Sequence, residues 1–342
     1  FTKAINEALH SSMKENEKSV CIGLGINDPK RIFGTTENLV EVFGEERVIE
    51  PPTSENALTG IAFGLSLNEY SVCLTHQRFD FSLLSFDQII NTLAKWNFMF
   101  NQNNKTSILI RMIIGRGWGQ GPTHSQSYHS FLASIPGLNV YYPTNPLNAY
   151  LTIKKGLQSR GPTIMIEHRW LHNSSQLIEN FDQELDILDS LKVYKKGSDI
   201  TITSMSYITI ETIHAVQELE KNGISCELID LRSTSPMDWE TIINSVRKTK
   251  RILALDSASG SFSVSSEIIS KVSSECHDIL LQAPAKMAMP DIASPTSFGL
   301  TSEYYFGAKE IFNKTIEILN KDIKIDLKKF LKDHPHDIPG EW

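Results

Sequence analysis

The chain has 342 residues, long enough for two domains of ordinary size, each with a substantial core. Its 40 Asp and Glu outnumber 33 Lys and Arg, a formal charge of −7, and the basic residues are scattered, so nucleic acid is excluded as an expected partner. No apolar run approaches the roughly 18 residues of a membrane span, and even the apolar stretch 108–114 carries Arg111 in its middle.

From the N-terminus, strand-length apolar runs at 19–24, 72–76, 107–114, 138–142 and 163–167 alternate with helical patterns at 2–13, 55–66, 83–98, 125–134 and 146–159. This alternation predicts an α/β fold with a parallel sheet covered by helices on both faces. The pattern lapses in a polar stretch from His168, and a second alternation follows: strands at 200–205, 226–230, 251–256 and 279–282, helices at 209–222, 238–249 and 263–274. Two parallel-sheet α/β domains are therefore expected, at 1–175 and 199–342, joined by a connector at 176–198. A last helical pattern at 308–320 precedes a charged tail.

Cys21, Cys73, Cys226 and Cys276 sit in or beside apolar runs without a Cys-x-x-Cys pair, which predicts reduced, buried thiols in a cytosol-like compartment. Phe1 stands where a start methionine would, so a mitochondrial matrix or plastid location is the alternative if a targeting peptide has been removed.

Glycines 115, 117, 119 and 121 follow a strand and lead to His124. The position three beyond Gly117 is Gln120, which fails the Gly-x-Gly-x-x-Gly spacing of a dinucleotide site. There is no Gly-Lys-Ser/Thr phosphate loop and no Gly-x-Ser-x-Gly elbow. His168 and His172 have a helical metal-ligand spacing but no acid between them, so they read as surface or packing histidines, and no metal ligands are assigned. What is left is Glu55 at a helix start, Phe81 just after a strand, and His124 on the glycine loop. Strand C-termini and helix N-termini share one ligand-binding edge of an open parallel sheet. Taken singly, each has a plainer reading: Glu55 as a first-turn acid worth about 0.5 kcal/mol, His124 as a loop residue, Phe81 as core.

The runs Pro51-Pro52-Thr53-Ser54-Glu55-Asn56-Ala57-Leu58-Thr59-Gly60, Phe79-Asp80-Phe81 with Asp87-Gln88-Ile89-Ile90-Asn91, and Gly121-Pro122-Thr123-His124-Ser125-Gln126 resemble the β subunit of the 2-oxo acid dehydrogenase E1 component, a member of the transketolase-like superfamily. The likeness continues through Asp230-Leu231-Arg232, Pro236-Met237-Asp238 and Pro290-Asp291. It implies a transketolase-like pyrimidine-binding domain followed by a transketolase C-terminal domain, and thiamine diphosphate as cofactor. The cofactor would be shared with an α-type subunit that binds most of its Mg²⁺, since this sequence has no Gly-Asp-Gly. It also implies an α₂β₂ heterotetramer and a lipoyl-bearing acyltransferase as acceptor. By resemblance Glu55 and His124 are catalytic, Glu55 as a proton relay to the aminopyrimidine, and Phe81 packs on that ring. Leu24 stands where the family commonly has an acid near the cofactor, and Gln77, Arg78 and Trp118 are the departures expected to shape the substrate pocket. Two other readings stay open: half of a split transketolase or carboligase in a specialised, for example sugar-modifying, pathway, and a non-catalytic scaffold of the same fold.

Overall fold

The computed structural model describes residues 1–100, 106–115, 120–178, 181, 185–326 and 330. Six strands of the first half, β1 (Ser19–Gly23), β2 (Val48–Ile49), β3 (Ser71–His76), β4 (Ile108–Ile114), β5 (Asn139–Tyr141) and β6 (Thr163–His168), run parallel. β1, β3, β4 and β6 are buried along their whole length. Strands covered on both faces need apolar side chains at every position, which is why they read as continuous runs. Helices Thr2–Glu15 and Pro146–Gln158 bury Leu9 and Ile153 in one core layer, while Glu55–Leu67 and Ala94–Phe100 bury Ala62 and Ala94 in the other.

The second half contributes β7 (Lys192–Lys195), β8 (Ile200–Ser204), β9 (Cys226–Asp230), β10 (Ser233–Ser235), β11 (Ile252–Ser259) and β12 (Ala285–Met289). Two features depart from an all-parallel arrangement. Lys192–Lys195, in the stretch expected as connector, pairs antiparallel with β9 at the edge of the second sheet. β10 leaves the second half altogether and pairs antiparallel with β5, so the first sheet runs β10-β5-β6-β4-β3-β1-β2 and the second β12-β11-β8-β9-β7.

Three expected elements differ for local reasons. The helical pattern at 83–98 is split into the 3₁₀ turn Leu83–Ser85, the π-helix Gln88–Leu93 and the α-helix Ala94–Phe100. Ser82 and Ser85 donate their hydroxyls back to the carbonyls of Phe79 and Ser82, competing with regular helical pairing there. Of 125–134 only His129–Ala133 is α-helical, because Gln126 and Ser127 turn their side chains to Asp80 and His129. The stretch 279–282, three apolar residues and Gln282, is not a strand; the chain pairs with β11 only after Pro284, which has no N–H to give a ladder. His168 and His172 are both buried rather than at the surface. The four cysteines are free and buried, and the sheet register sets Cys21 beside Cys73.

In the middle of β4, Arg111 is fully buried; its Nε and Nη2 donate to Glu167 Oε1 and Oε2 at 2.5 and 2.9 Å. Nη2 also reaches Thr35 Oγ1 at 3.1 Å, and His172 Nε2 lies 3.1 Å from Glu167 Oε2. Burial by itself pushes the Glu167 carboxyl up, but the Arg111 charge and the bonds from His172 and Arg111 overcome this and hold it down at about 2. An unfolded Glu titrates near ~4.3, so this contribution is complete above that value and is lost as pH falls through the folded pKa. Glu167→Gln should cost about 3–5 kcal/mol at neutral pH by leaving Arg111 buried without its counter-charge. Urea unfolding across pH should also show the variant's stability declining less than the wild type's below roughly pH 4.5.

Candidate active site

In the first sheet β1 pairs with β2 on one side and β3 on the other, and chain order reverses there. Such a switch point opens a crevice at the strand C-termini. Leu24 follows β1, Glu55 follows β2, Gln77 and Arg78 follow β3, the loop bearing His124 follows β4, and Arg169 follows β6. Parallel strands with helical returns therefore put all of them on one edge.

Glu55 is the first residue of the helix Glu55–Leu67 and is 8% exposed. Among the described residues its carboxylate has no hydrogen-bond or ion-pair partner, so the helix N-terminus is its main favourable interaction. Phe81 and His124 meet edge to face, ring centroids 5.4 Å apart at 83°. Thr123 Oγ1 lies 2.9 Å from His124 Nδ1, which leaves Nε2 as the ring's other polar atom. Behind this pair Gln126 donates to Asp80 Oδ1 at 2.6 Å and accepts from the Tyr128 hydroxyl, locking the His124 loop to the Phe81 turn.

Gln77 donates to the Leu24 carbonyl at 2.6 Å, closing the crevice between β1 and β3. The Leu24 side chain is half-buried against the core layer beneath. Asp28, the nearby acid in the following loop, accepts the backbone amides of Lys30 and Arg31 at 2.8 Å each, so it is committed to that turn. Arg78 is buried, with Nε and Nη2 on Gln120 Oε1 and Nη1 on the Gln77 carbonyl. Burial and the nearby Arg169 charge lower its pKa to about 10. Trp118 lies outside the described residues.

The second half closes the site from behind. The Tyr142 backbone amide donates to the Arg232 carbonyl, in the turn before β10, at 2.8 Å, and Thr144 donates to Asp230 Oδ1 at 2.6 Å. Burial raises Asp230 to about 6. A cavity of about 480 Å³ lies between the His124 loop, at Ser125 and Gln126, and the second half at Ser257, Asp291 and Tyr304. A larger cleft of about 1120 Å³, around Phe131, Trp239 and Phe262, touches none of Glu55, Phe81 and His124. No group of three or more His, Cys, Asp or Glu among the described residues is arranged to hold a metal, and no described helix is long and apolar enough to cross a membrane.

Sequence reasoning did not single out Phe33, Gln120 or Arg169 as site residues. Arg169 carried a usable signal, since it follows a strand on the same edge as the others; Phe33 and Gln120 are recognisable only from their contacts with Arg78.

Residues 1–173 match the transketolase pyrimidine-binding domain family and residues 189–311 the transketolase C-terminal domain family. The chain is 31% identical over 297 residues to a pyruvate dehydrogenase E1 component subunit beta of Staphylococcus epidermidis, covering 86% of this chain and 91% of that one. It is 31% identical over 300 residues to the mitochondrial counterpart of Pisum sativum, covering 85% and 82%, and 30% identical to that of Bacillus subtilis, covering 86% and 91%. A solved split-gene transketolase described as an inactive beta4 tetramer shares the fold, with a TM-score of 0.75 at 20% identity over 93% of this chain and 97% of that one.

Gly25, at the base of the crevice, has φ +72°, and a Cβ there would stand 2.0 Å from Gln77 Nε2. Gly25→Ala should displace Gln77 from the Leu24 carbonyl and destabilise by about 1–3 kcal/mol, seen as a lower denaturation midpoint. Gln77→Ala, which removes the obstruction as well as the bond, should cost about 1 kcal/mol or less.

Proposed function

Because the chain belongs to the pyruvate dehydrogenase E1 β-subunit family, with transketolase pyrimidine-binding and C-terminal domains, we propose that it is the β chain of a thiamine-diphosphate-dependent enzyme. It decarboxylates a 2-oxo acid and passes the acyl unit to an acceptor, a lipoyl carrier in the first instance. An α-type subunit completes the site and supplies most of the Mg²⁺ ligands in an α₂β₂ assembly.

One observation supports this most directly: a buried carboxylate, Glu55, without a partner among the described residues, on the same edge as a half-buried aromatic ring and an imidazole. These residues fit the cofactor's aminopyrimidine. Glu55 would hold a proton at a ring nitrogen, in place of the hydrogen bond it lacks among the described residues. Phe81 offers an aromatic surface to a flat heterocycle. His124, held at Nδ1 by Thr123, has its other nitrogen to give or take a proton near the reacting carbonyl. When bound, thiamine diphosphate supplies the electron sink for decarboxylation. Leu24, where relatives of this type commonly carry an acid, gives a path for proton exchange between paired sites no group to use.

The test is co-production with an α-type partner and measurement of carbon dioxide release with an artificial electron acceptor. Glu55→Gln should lower kcat by about 10²–10⁴-fold with unchanged folding, and unchanged turnover would remove Glu55 from the mechanism. Calorimetric titration of the complex with thiamine diphosphate separates the enzyme from a scaffold of the same fold, which need not bind it.

A further inference from the structure

We propose that Arg78 and Arg169, both stacked on Phe33, form a receptor for an oxyanion, a carboxylate or a phosphate, at the end of the substrate remote from the reacting carbonyl. The inference rests on the proposed function for what that substrate is, and deepens it by naming its chemical class.

The guanidinium carbons of Arg78 and Arg169 lie 5.2 and 4.5 Å from the centroid of the Phe33 ring. The two like charges that share this ring act on one another, the Arg169 charge disfavouring that of Arg78, an arrangement stabilised when an anion joins them. Among the described residues Arg169 has no hydrogen bond or ion pair; its polar contact is the Phe33 face, and it is half-buried. Its planar fork of donors is therefore available to a bidentate acceptor. Arg78 is the fixed member: its bonds to Gln120 and Gln77 set the plane of its guanidinium. Among the described residues the carboxylate that acts on Arg78 is Asp80, already bonded to Gln126 at 2.6 Å.

The place is as telling as the charge. Arg78 stands three residues before Phe81, and its partner Gln120 four residues before His124, so the receptor adjoins the loops that carry the proposed chemistry. Phe33 reaches it through a turn in which Arg31, Ile32 and Phe33 have φ of 47°, 46° and 60°, followed by Gly34 at 84°. Three successive non-glycine residues in the left-handed region are a costly way to present a ring, and such outliers gather where a site demands them. A cation–π pair at the surface needs no such turn.

The αβ complex is titrated calorimetrically with inorganic phosphate and with malonate, as wild type, Arg169→Gln and Arg169→Lys. The expected result is that wild type binds at least one probe about tenfold to a hundredfold more tightly than Arg169→Gln, with Arg169→Lys between them. The preferred probe separates a phosphate from a carboxylate receptor. In steady state, Arg169→Gln should raise KM for the matching substrate, a sugar phosphate or 2-oxoglutarate, far more than KM for pyruvate, with kcat little changed. Equal binding of both probes to wild type and Arg169→Gln overturns the proposal. Anion binding lost in Arg169→Gln, in a complex that decarboxylates no 2-oxo acid, would refute the proposed reaction and leave the receptor standing.

Discussion

A guanidinium buried in the centre of a sheet has to be neutralised on the spot, and in this chain that requirement organises the first half. Arg111 on β4 is bound by Glu167 on β6, touches Thr75 on β3, and through Thr35 holds the loop that follows β1. Three strands and one edge loop are thereby registered by a single charged group. Breaking such a pair is costly because the orphaned charge cannot reach water. The loop secured by Thr35 is also the one that carries Phe33, and the strand that carries Glu167 ends one residue before Arg169. The buried pair and the crevice above it are parts of one arrangement.

The crevice depends on a second constraint, the connection between the halves. β10 returns to the first sheet and pairs with β5. Thr144, just beyond β5, donates to Asp230 and accepts from the amide of Ser206, while Tyr142 lies 3.1 Å from Ser257. His129 Nε2 sits 2.9 Å from Asp256 Oδ1, off the ring's N–H axis, and its Nδ1 is 2.9 Å from Ser127. These polar contacts lie at the base of the His124 loop. They couple the placement of a residue in the first half to the packing of the second.

Much of this was legible beforehand. Leu24, Glu55, Gln77, Arg78, Phe81 and His124 follow strands or begin a helix, and a parallel sheet brings such positions to one edge whatever the side chains are. The helix at Glu55–Leu67 and the runs that became β3, β4 and β6 were plain because fully buried parallel strands must be apolar throughout. β10, Ser233–Ser235, was not legible, since three small polar residues acquire strand geometry only from a partner that is 92 residues away at Tyr141. The split helix after Phe81 was hidden because an apolar period does not report whether serine side chains compete with the backbone.

The sequence by itself determined most of the helices and buried strands, the edge on which the proposed chemistry sits, and through its motifs the family resemblance. The elements and the edge follow from local spacing, which a chain carries with it before it folds. Tertiary structure decided the rest: that Glu55 is buried with no partner among the described residues, that Phe81 and His124 meet at 5.4 Å, and that Arg78 and Arg169 converge on Phe33. Those facts depend on contacts between residues far apart in the chain, and electrostatic and aromatic contacts act over a few ångströms of space regardless of separation in sequence. Arg111 illustrates the difference. In the sequence it is a charge interrupting an apolar run, and only the fold supplies the Glu167 that makes it the centre of the sheet.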